Sequence, residues 1–548
     1  MIFINPAQER FGGILSRYVP IAVPISIGYL AGVVEALGEP VAILNDELES
    51  ITPDHLRQAA GSPGQSDPPV FGISMLTASA GRGYDVAAMI RQTLPNAVVV
   101  IGGLHVTLLP DEALAMPGVD YLLRGEGEET LPEFLRKLRA GEDLTAIRGL
   151  SYRDGERFVH NPQAPVIDDL DRIPPFPYHL FDPKRYDIGF VMSSRGCPHG
   201  CTYCSQRMMT GTTVRHNTTE RAIADIRLLV ERHGLDHIVF LDDIFTLKRS
   251  RVIELCQGLM ASGLSQRCQF GIQTRADAVD PELLALLAQA GFNHIGYGME
   301  TGSDRLMQLA NKGETVAEHE QVIAWTRAAG IKVSAMMIYG FPTETQEDRR
   351  AGFDVVRRMQ VDVTKANNLI PYPGTPIYND VQQSGRLVQT PGWRNFNSTL
   401  SLTRSIFDKT PLAYVPETTS EFELKREVIR YNLLNAIRWR TLSSILRREG
   451  GIGWFRLPPR WYLDPRELWE MAGIGLILSI NLLIAFLPLW LTEPVMNALN
   501  PAMRQRPRVA GYRIEDHHAT IWDKALTRRI NQMVRRSSRA PSAPAPGE

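Results

Sequence analysis

Three cysteines lie within eight residues of one another, at Cys197, Cys201 and Cys204, in the spacing Cys-x3-Cys-x2-Cys. Thiolates are the usual ligands of iron–sulfur clusters, and four of them close the coordination of a four-iron, four-sulfur cluster. Three thiolates leave one iron open. An open iron can bind a small chelating ligand and pass an electron to it. The spacing therefore predicts a redox cluster with one vacant coordination position.

Two other chemistries use the same residue types. Zinc could bind the three thiolates together with His199, because three cysteines and one histidine complete a tetrahedral site. Pro198 stiffens the backbone between Cys197 and His199, however, and no second Cys/His pair follows downstream as zinc modules usually have. Cys201 and Cys204 could instead form a thiol–disulfide pair, which would leave Cys197 without a role. Both readings stay open as alternatives.

Composition limits the class of protein. The chain has 548 residues, of which 44% are hydrophobic, so we expect several domains with substantial cores. The formal net charge is -1, which gives no global attraction to nucleic acid. Five cysteines in so long a chain exclude a disulfide scaffold and favour a reducing compartment. Cys256 and Cys268 lie in apolar segments and are predicted to be core residues. The segment Met1–Pro6 has no basic or long apolar stretch, so we expect no signal peptide.

Residues 1–150 are predicted to form an α/β domain with a Rossmann-like, doubly wound parallel sheet. Its expected strands, each separated from the next by a helix-length segment, are Ile2–Asn5, Val41–Leu44, Val70–Ser74, Ala97–Ile101 and Val119–Leu123. Ligands of such sheets bind beyond the carboxyl ends of the strands. Ser74, Gly102 and Gly103 stand at two of these ends, and small residues there allow a ligand to approach the backbone closely.

Residues 151–188 are rich in proline and are predicted to be a stiff linker. Residues 189–385 repeat strand–helix units, which predicts a (β/α)6 partial barrel that is open on one side. The expected strands are Phe190–Ser194, Ile238–Asp242, Gln269–Thr274, His294–Met299, Lys332–Tyr339 and Thr364–Ile370.

Chemistry in such barrels takes place at the carboxyl ends of the strands. The loop with the three cysteines follows the first expected strand. Asp242 and Asp243 end the second, Arg275 follows the third, and Glu300 ends the fourth. Paired carboxylates are costly to bury unless a cation accompanies them. We therefore predict that these side chains face a bound cofactor, with a helix-capping or surface role as the alternative for each of them.

The cysteine spacing, with the aromatic Tyr203 before the last cysteine, resembles that of the radical S-adenosylmethionine (SAM) enzymes. The loops Gly340–Thr345 and Pro371–Pro376 also match this family. In the family the open iron holds the amino and carboxylate groups of SAM, and reductive cleavage yields a 5′-deoxyadenosyl radical. The resemblance implies that Tyr203, like the barrel-end residues, lies at the cofactor.

The resemblance also implies roles for the barrel-end residues. Asp242 and Asp243 stand where relatives contact the methionyl ammonium of SAM. Arg275 and Glu300 stand where relatives contact its carboxylate, ribose or ammonium group. The metal ligands that it implies are the three cysteines alone.

The N-terminal domain resembles cobalamin-binding domains. Ser74 and Leu76 match their Ser-x-Leu element, and Gly102-Gly103 matches their Gly-Gly element. In that family the nucleotide tail of cobalamin threads between strands and helices. His105, shortly after the two glycines, could approach the cofactor or could be a structural hydrogen-bonding residue.

One element of that family is absent. The Asp-x-His-x-x-Gly motif that supplies a histidine to cobalt should follow the first strand, where Asn5–Arg10 stands instead. The lower face of cobalt is therefore expected to lack a histidine ligand. Arg124–Glu129 again resembles the N-terminal half of cobalamin-dependent radical SAM enzymes. A Rossmann-like domain without a cofactor remains the alternative.

Residues 386–470 are predicted to be helical. Ser420 and Glu423 form a capping pair for a long helix that would run to Gly450, with many Lys and Arg residues among its apolar positions. A basic amphipathic helix can lie on anionic lipid. Such a helix more often packs on its own domain.

Residues 471–492 form a hydrophobic segment without a charged residue, 22 positions long. At about 1.5 Å per residue a helix of this length would span roughly 33 Å, close to the thickness of a hydrocarbon core. Pro488 interrupts the segment, and residues 496–548 carry nine Arg and one Lys against four acids. Because a basic tail opposes translocation, a hairpin or re-entrant segment with a kink near Pro488 is favoured over a simple span. A buried core helix is the alternative. The basic tail, residues 493–548, is expected to be partly disordered.

Together these features predict a cobalamin-dependent radical SAM C-methyltransferase at the cytoplasmic face of the inner membrane. Its substrate would be a hydrophobic, membrane-resident isoprenoid lipid or tetrapyrrole, and its electron donor a cytoplasmic flavodoxin or ferredoxin. Nucleic acid is not expected as a partner. The resembling class contains hopanoid and other carbon methylases and the anaerobic magnesium-protoporphyrin monomethyl ester oxidative cyclase. A radical oxidation or ring closure is therefore the first alternative, and a membrane-bound cobalamin or redox sensor is the second.

Overall fold

The structure is a computed structural model that describes residues 1–8, 21–61, 68–397, 408–436, 438 and 465–499. The strands are β1 (Ile2–Asn5), β2 (Ile21–Ala22), β3 (Ala42–Asn45), β4 (Val70–Ser74), β5 (Val98–Gly102), β6 (Tyr121–Leu123), β7 (Leu150–Asp154), β8 (Arg157–His160), β9 (Tyr186–Asp187), β10 (Phe190–Val191), β11 (Ser194–Arg195), β12 (Arg215–His216), β13 (His237–Phe240), β14 (Gln269–Thr274), β15 (Phe292–Glu300), β16 (Lys332–Tyr339) and β17 (Val363–Asn368).

The helices flank two large sheets. They are α1 (Ile25–Ala36), α2 (Pro53–Ala60), α3 (Ala80–Thr93), α4 (Leu104–Leu108), α5 (Pro110–Ala115), α6 (Thr130–Ala140), α7 (Arg207–Thr210), α8 (Thr219–His233), α9 (Arg249–Ala261), α10 (Pro281–Gln289), α11 (Asp304–Leu309), α12 (Val316–Ala328), α13 (Gln346–Met359), α14 (Pro376–Gln383), α15 (Glu421–Ala436), α16 (Pro465–Phe486) and α17 (Leu489–Leu499).

The first sheet has the strand order β3-β1-β4-β5-β6-β7-β8. The five strands from β3 to β6 are parallel, as each crossover through a helix requires. The prediction of an α/β fold with a parallel sheet is thus confirmed. Strands β7 and β8 add an antiparallel hairpin. The sheet therefore continues to His160, ten residues past the predicted boundary at residue 150, because β7 pairs with β6 and β8 pairs with β7.

The proline-rich segment after that hairpin connects the two sheets and also packs between them. The ring of Phe176 packs where a Cβ on Gly28 of α1 would stand, only 2.2 Å from that position. Phe176 also stacks against Phe181 and meets Phe190 of β10 edge-on. The stretch thus brings aromatic side chains between α1 and the first strand of the second sheet, and the absence of a side chain at Gly28 allows the close approach.

The second sheet has six parallel strands in the order β10-β13-β14-β15-β16-β17. Its apolar residues pack outward against the flanking helices in one core, which contains Cys256 and Cys268 as predicted. The edge strand β17 is covered by α15, where the Asn432 amide accepts from the Ala366 N–H and donates to the Ala366 carbonyl, both at 2.9 Å. The Asn432 side chain thereby pairs backbone groups of the edge strand that an open barrel would otherwise leave unbonded.

Helix α15 begins where the sequence predicted, with the Glu423 N–H donating to the Ser420 hydroxyl at 3.1 Å. Two of its basic side chains, Lys425 and Arg426, are buried. The Lys425 ammonium donates to the Thr410 carbonyl at 2.7 Å, and the Arg426 guanidinium binds the carbonyls of Ile484 and Leu487 at the end of α16. The described part of this helix therefore packs on its own domain, and its predicted continuation to Gly450 lies outside the described residues.

The hydrophobic segment 471–492 does not form one helix. Helix α16 ends at Phe486 and α17 starts at Leu489, so the break falls at Pro488 as expected for a residue without a backbone N–H. Within the described ranges no helix has the length and apolarity needed to cross a membrane. Of the basic tail, only residues 493–499, in α17, are described.

Candidate active site

The three cysteines lie in one loop between β11 and α7, hereafter the cluster loop (residues 196–206). Three distant segments fix its backbone. The Cys197 N–H donates to the Gly211 carbonyl at 3.2 Å, the Thr202 N–H donates to the Ala310 carbonyl at 2.9 Å, and the Thr202 carbonyl accepts from Ile377 at 3.1 Å. The loop is therefore held in place by the protein itself, with all three thiols on one short stretch.

The environment of the three thiols favours a cationic metal cluster as their partner. Burial raises the pKa of the Cys197 thiol, and burial together with the neighbouring cysteines raises the pKa of Cys204 to about 11. Thiolates in this loop therefore require a cationic partner. Cys256 and Cys268 are buried in the barrel core and lie away from the loop. Among the described residues, no three His, Cys, Asp or Glu side chains surround a point that could hold a single metal ion.

A buried charge network lies beside the cluster loop at the ends of β14 and β15. The Lys312 ammonium lies 3.6 Å from the Glu300 carboxylate and 3.4 Å from the Glu314 carboxylate. The Arg275 guanidinium binds both oxygens of Asp277 at 2.9 and 2.7 Å and donates to the Lys312 carbonyl at 2.8 Å. The predicted residues Arg275 and Glu300 are thus brought together by Lys312.

Neighbouring opposite charges favour the ionised forms of Lys312 and Glu314. Burial opposes the charge of Lys312, but the Glu300 and Glu314 carboxylates raise its pKa. Burial likewise opposes the charge of Glu314, while the His319 ring, 3.5 Å away, and the nearby Lys312 lower its pKa to about 2. A polar group of a bound ligand that enters here meets fixed charges of both signs, which is the requirement for holding a zwitterion.

Glu300 has a strained backbone. Its φ is +67°, in the left-handed region, and the ladder between β15 and β16 shifts register between Gly298 and Glu300. A Cβ on Gly298 would stand 2.5 Å from the Glu300 carboxylate, so the glycine makes room for that side chain. Strain of this kind persists where the surrounding structure fixes it, often at functional sites.

Tyr203 joins the cluster loop to the barrel. Its ring meets Phe341 edge-on at 5.9 Å, in the loop that follows β16. Burial, and then the nearby Glu300 carboxylate, raise the pKa of the Tyr203 phenol. The predicted residue Tyr203 thus lies between the cysteines and Glu300.

The two adjacent aspartates have different environments. Asp242 is buried, and its carboxylate accepts from the Ser193 N–H, the Ser193 hydroxyl and the Ser194 hydroxyl, each at 2.7 Å. The Arg251 guanidinium lies 3.7 Å from the same carboxylate, so Asp242 has protein partners on both oxygens, and its contact with SAM stays a prediction. Asp243 accepts from the Gly196 N–H at 3.0 Å at the start of the cluster loop.

A cavity of about 230 Å³ lies between the two sheets, and residues of both line it. From the first sheet come the ends of β4, β5 and β6 and the loop that follows β6. From the second come Met192, Leu241 and Asp243, and from α7, directly after the cluster loop, Met209 and Thr210. Its wall is mostly apolar. This is the place where a large, flat cofactor with an apolar body would contact both domains.

The predicted cobalamin residues divide into two groups. Ser74, Gly102 and Gly103 line the cavity. Leu76 is 51% exposed and is not part of its wall. His105 is also outside it, fully buried, with its ring nitrogens 3.4 Å from the Thr77 hydroxyl and 3.3 Å from the Glu112 carboxylate. Leu76 and His105 thus lie outside this cavity, and the ring of His105 has partners within its own domain. Contact of either residue with the cofactor stays a prediction.

Several site residues have no counterpart in the sequence analysis. Lys312 and Glu314 follow a helix instead of a strand, so the strand-end rule does not select them. Glu128 and Arg195 line the cavity and bind one another at 2.6 Å. Glu126 lies beside them. The segment Arg124–Glu129 is marked in the sequence only by its resemblance to the family. A signal that could identify Glu126 and Glu128 is a pair of acids next to glycines directly after a parallel strand.

The second sheet has six parallel strands, and its first strand leads into a three-cysteine loop. A glycine-lined cavity joins it to a Rossmann-like sheet. This is the architecture of a radical SAM protein with a second cofactor domain. Two family models match the chain. The radical SAM superfamily matches residues 191–355, and the B12 binding domain matches residues 13–135. The chain therefore belongs to the radical SAM enzymes that carry a cobalamin-binding domain.

The chain is similar in sequence to methyltransferases and to a cyclase. An uncharacterized methyltransferase of Pyrococcus horikoshii is 29% identical over 404 residues, which are 73% of this chain and 86% of that protein. The anaerobic magnesium-protoporphyrin IX monomethyl ester cyclase of Cereibacter sphaeroides is 27% identical over 70% of this chain and 63% of its own. The hopanoid C-3 methylase of Methylococcus capsulatus is 24% identical over 69% of this chain and 71% of its own.

A solved structure shares the fold. It is the cobalamin-dependent S-adenosylmethionine radical enzyme OxsB with aqua-cobalamin and S-adenosylmethionine bound. The TM-score is 0.64 at 14% sequence identity, with 98% of this chain and 79% of that chain covered.

The two domains imply a four-iron, four-sulfur cluster with SAM, and cobalamin. The residues present fit these groups. The three thiols in a fixed loop fit the cluster, the charge network around Lys312 fits the zwitterionic end of SAM, and the apolar, glycine-lined cavity fits cobalamin.

Replacing Cys201 with alanine is expected to abolish cluster assembly, because two thiolates cannot hold the cubane. Iron and sulfide content after anaerobic reconstitution measures this, and retained cobalamin binding shows that the N-terminal domain is folded. The control is Cys256→Ala in the barrel core, which should keep its iron. Full iron content and SAM cleavage in Cys201→Ala would contradict the ligand assignment.

A larger side chain at Gly102 is expected to weaken cobalamin binding. Gly102 lines the cavity with an ordinary backbone conformation, and a Cβ there meets only the Leu123 carbonyl, at 3.4 Å. Gly103 is less suited to the test, because its Cβ would stand 2.5 Å from the Met75 carbonyl oxygen. Overpacking costs about 1–3 kcal/mol, so the Kd of Gly102→Val for cobalamin should rise about tenfold or more.

Titration of apo-protein with cobalamin, followed by its absorbance, measures this Kd. Gly473→Val on the exposed side of α16 is the matched control. An unchanged affinity of Gly102→Val would place cobalamin elsewhere.

Proposed function

We propose that the protein is a cobalamin-dependent radical SAM C-methyltransferase that acts on a hydrophobic substrate resident in a membrane. The observation that carries the proposal is the single cavity lined by the ends of both sheets. It brings α7, directly behind the three cysteines, and the cobalamin-type residues Gly102 and Gly103 to the same space. When bound there, the cluster supplies the electron for cleavage of SAM and cobalamin supplies a transferable methyl group.

The protein's own residues would position these groups and exclude water. The network of Arg275, Lys312 and Glu300 is buried and charged, so it can orient the polar end of SAM without rearranging. Met192, Leu241 and Met209 line the cavity on the barrel side and keep it apolar. Exclusion of water protects a reactive carbon radical from side reactions.

The relatives support methylation without deciding it. One of them is a methyltransferase and another methylates a hopanoid, whereas the third is a cyclase. Radical oxidation or ring closure of a tetrapyrrole or lipid is therefore the second candidate. A sensor without catalysis is the third, and the buried charges prepared at the ends of β14 and β15 argue against it.

The C-terminal helices support a membrane-resident substrate. In the part of the chain that the structure describes, Trp469, Leu476 and Leu483 are exposed on α16, and Trp490 is exposed on α17. The three residues on α16 are seven positions apart and so share one face of the helix. Trp469 is 81% exposed and Trp490 is 76% exposed. Side chains of this kind favour the boundary between water and hydrocarbon.

We propose that this face lies in the surface of the membrane without crossing it, on the cytoplasmic side of the inner membrane. The basic residues between positions 496 and 548 would contribute attraction to anionic headgroups. A cytoplasmic position gives access to a flavodoxin- or ferredoxin-type donor of the electron that radical SAM enzymes require.

Product analysis separates the candidate reactions. Reconstituted, reduced enzyme incubated anaerobically with SAM, cobalamin and a membrane lipid extract should form both 5′-deoxyadenosine and S-adenosylhomocysteine. The label of methyl-labelled SAM should enter a lipid or tetrapyrrole product. Deoxyadenosine without S-adenosylhomocysteine would contradict methylation and favour oxidation, and the absence of both would favour the sensor.

Binding to vesicles tests the membrane surface. The full-length protein should sediment with vesicles that contain phosphatidylglycerol and less with pure phosphatidylcholine. The double variant Trp469→Ser, Trp490→Ser should lose about tenfold or more in affinity, because each buried aromatic contributes about 1.5–3 kcal/mol. Leu37→Ser, at an exposed apolar residue after α1, is the control. Equal binding by the double variant, or none by the wild type, would overturn this part of the proposal.

A further inference from the structure

The cluster loop is closed at its base by a two-stranded ladder, β11 with β12. In this antiparallel pair Arg195 stands directly opposite Arg215. All three cysteines lie in the chain between these two residues. The ladder therefore determines how far apart the two ends of the segment 196–214 lie, which contains the cluster loop and α7.

Two arginines opposite one another repel, and both are buried here, with 9% and 4% of their side chains exposed. Like charges at directly opposite positions destabilise a ladder. Burial strengthens the effect, because the interior screens charge less than water does. The ladder thus needs an anion between its two arginines.

Glu126 supplies that anion, and it comes from the B12-binding domain. Its carboxylate accepts from the two terminal nitrogens of Arg215 at 2.7 and 2.9 Å and from Arg195 at 3.4 Å. One of its oxygens also accepts from the Ile167 N–H at 2.7 Å. The carboxylate is 3% exposed. Glu126 therefore links the two arginines of the ladder, and Glu128 of the same domain adds a second acid, which accepts from Arg195 at 2.6 Å.

The turn next to the ladder has little freedom. Gly196 has a φ of +103°, and a Cβ there would stand 2.2 Å from the Thr213 carbonyl oxygen. Cys197 follows at once, and its N–H donates to the Gly211 carbonyl at 3.2 Å. A separation of the two strands would therefore displace Cys197 directly.

We propose that Glu126 is a positioning residue for the cluster: by binding both Arg195 and Arg215 it holds the two strands of the ladder together, so that the B12-binding domain controls the arrangement of the three cysteines. This inference deepens the proposed function, but its test does not depend on the reaction catalysed. Glu128 binds Arg195 alone and cannot replace Glu126, because Arg215 would remain unbalanced.

The test uses the full chain without cluster or cobalamin and measures alkylation of each cysteine by iodoacetamide, resolved by mass spectrometry. Glu126→Gln preserves size and removes the charge. It is expected to accelerate labelling of Cys197, Cys201 and Cys204 about tenfold or more through local opening of the loop. Cys256 and Cys268, both in the barrel core, should remain protected and serve as internal controls for global unfolding.

Two further variants sharpen the result. Glu142→Gln removes an acid from an exposed ion pair with Arg136 in the same domain and should change nothing. Arg215→Gln combined with Glu126→Gln removes one of the two repelling charges and should restore part of the protection. Reconstituted iron content should follow the same order. Unchanged labelling of the three cysteines in Glu126→Gln, or equal acceleration at Cys256 and Cys268, would overturn the proposal and leave the proposed reaction untouched.

Discussion

The carboxyl ends of two parallel sheets face a common cavity, and the positions of the functional residues depend on this arrangement. Parallel strands place their following loops at one edge, so the loops after β4, β5 and β6 meet those after β10 and β13. Neither sheet alone encloses this space. A cofactor bound by the first domain would therefore be covered by the second, close to the cluster loop.

Buried charged groups fix the loops of the second domain around the cluster loop. Asp242 binds Ser193 and Ser194 beneath the cluster loop, and Lys312 lies between Glu300 and Glu314 beside it. Ion pairs of this kind cost much of their attraction in desolvation and are weak sources of stability. Their value here is geometric, since each fixes the direction of a loop that carries a cysteine or a cofactor contact. Hydrophobic packing alone would leave those directions less well defined.

The sequence was sufficient to predict the parallel strands of the two large sheets and the cluster loop, because hydrophobic runs and cysteine spacing are local signals. The antiparallel hairpin β7–β8 and the β11–β12 ladder were not predicted. The strand-end rule identified the correct edge but not the direction of each side chain. Asp242 and Asp243 show the difference: they are neighbours in the segment after β13, yet Asp242 binds two serines while Asp243 lines the cavity. Similarly, His105 follows Gly103 in the chain, yet it lies at Glu112 and not in the cavity.

Other features depended on contacts between distant segments. Lys312 comes after a helix and reaches Glu300 only through the fold, and Glu126 meets Arg215 across 89 residues of chain. The uncharged run 471–492 predicted a membrane segment from its length, but Pro488 divides it into two helices that pack on α15. Composition indicates that the segment 471–492 is apolar. It does not show which face of the two helices is exposed.

The central claim is that three cysteines leave one iron of the cluster open for SAM, next to the shared cavity. The most direct test is electron–nuclear double resonance of the full-length enzyme after reconstitution and reduction. The enzyme is mixed with SAM that carries isotopic labels in its amino and carboxylate groups. We predict a strong coupling of the cluster spin to both labelled groups. The absence of coupling to either group, with a fourth protein ligand on the remaining iron, would contradict the account.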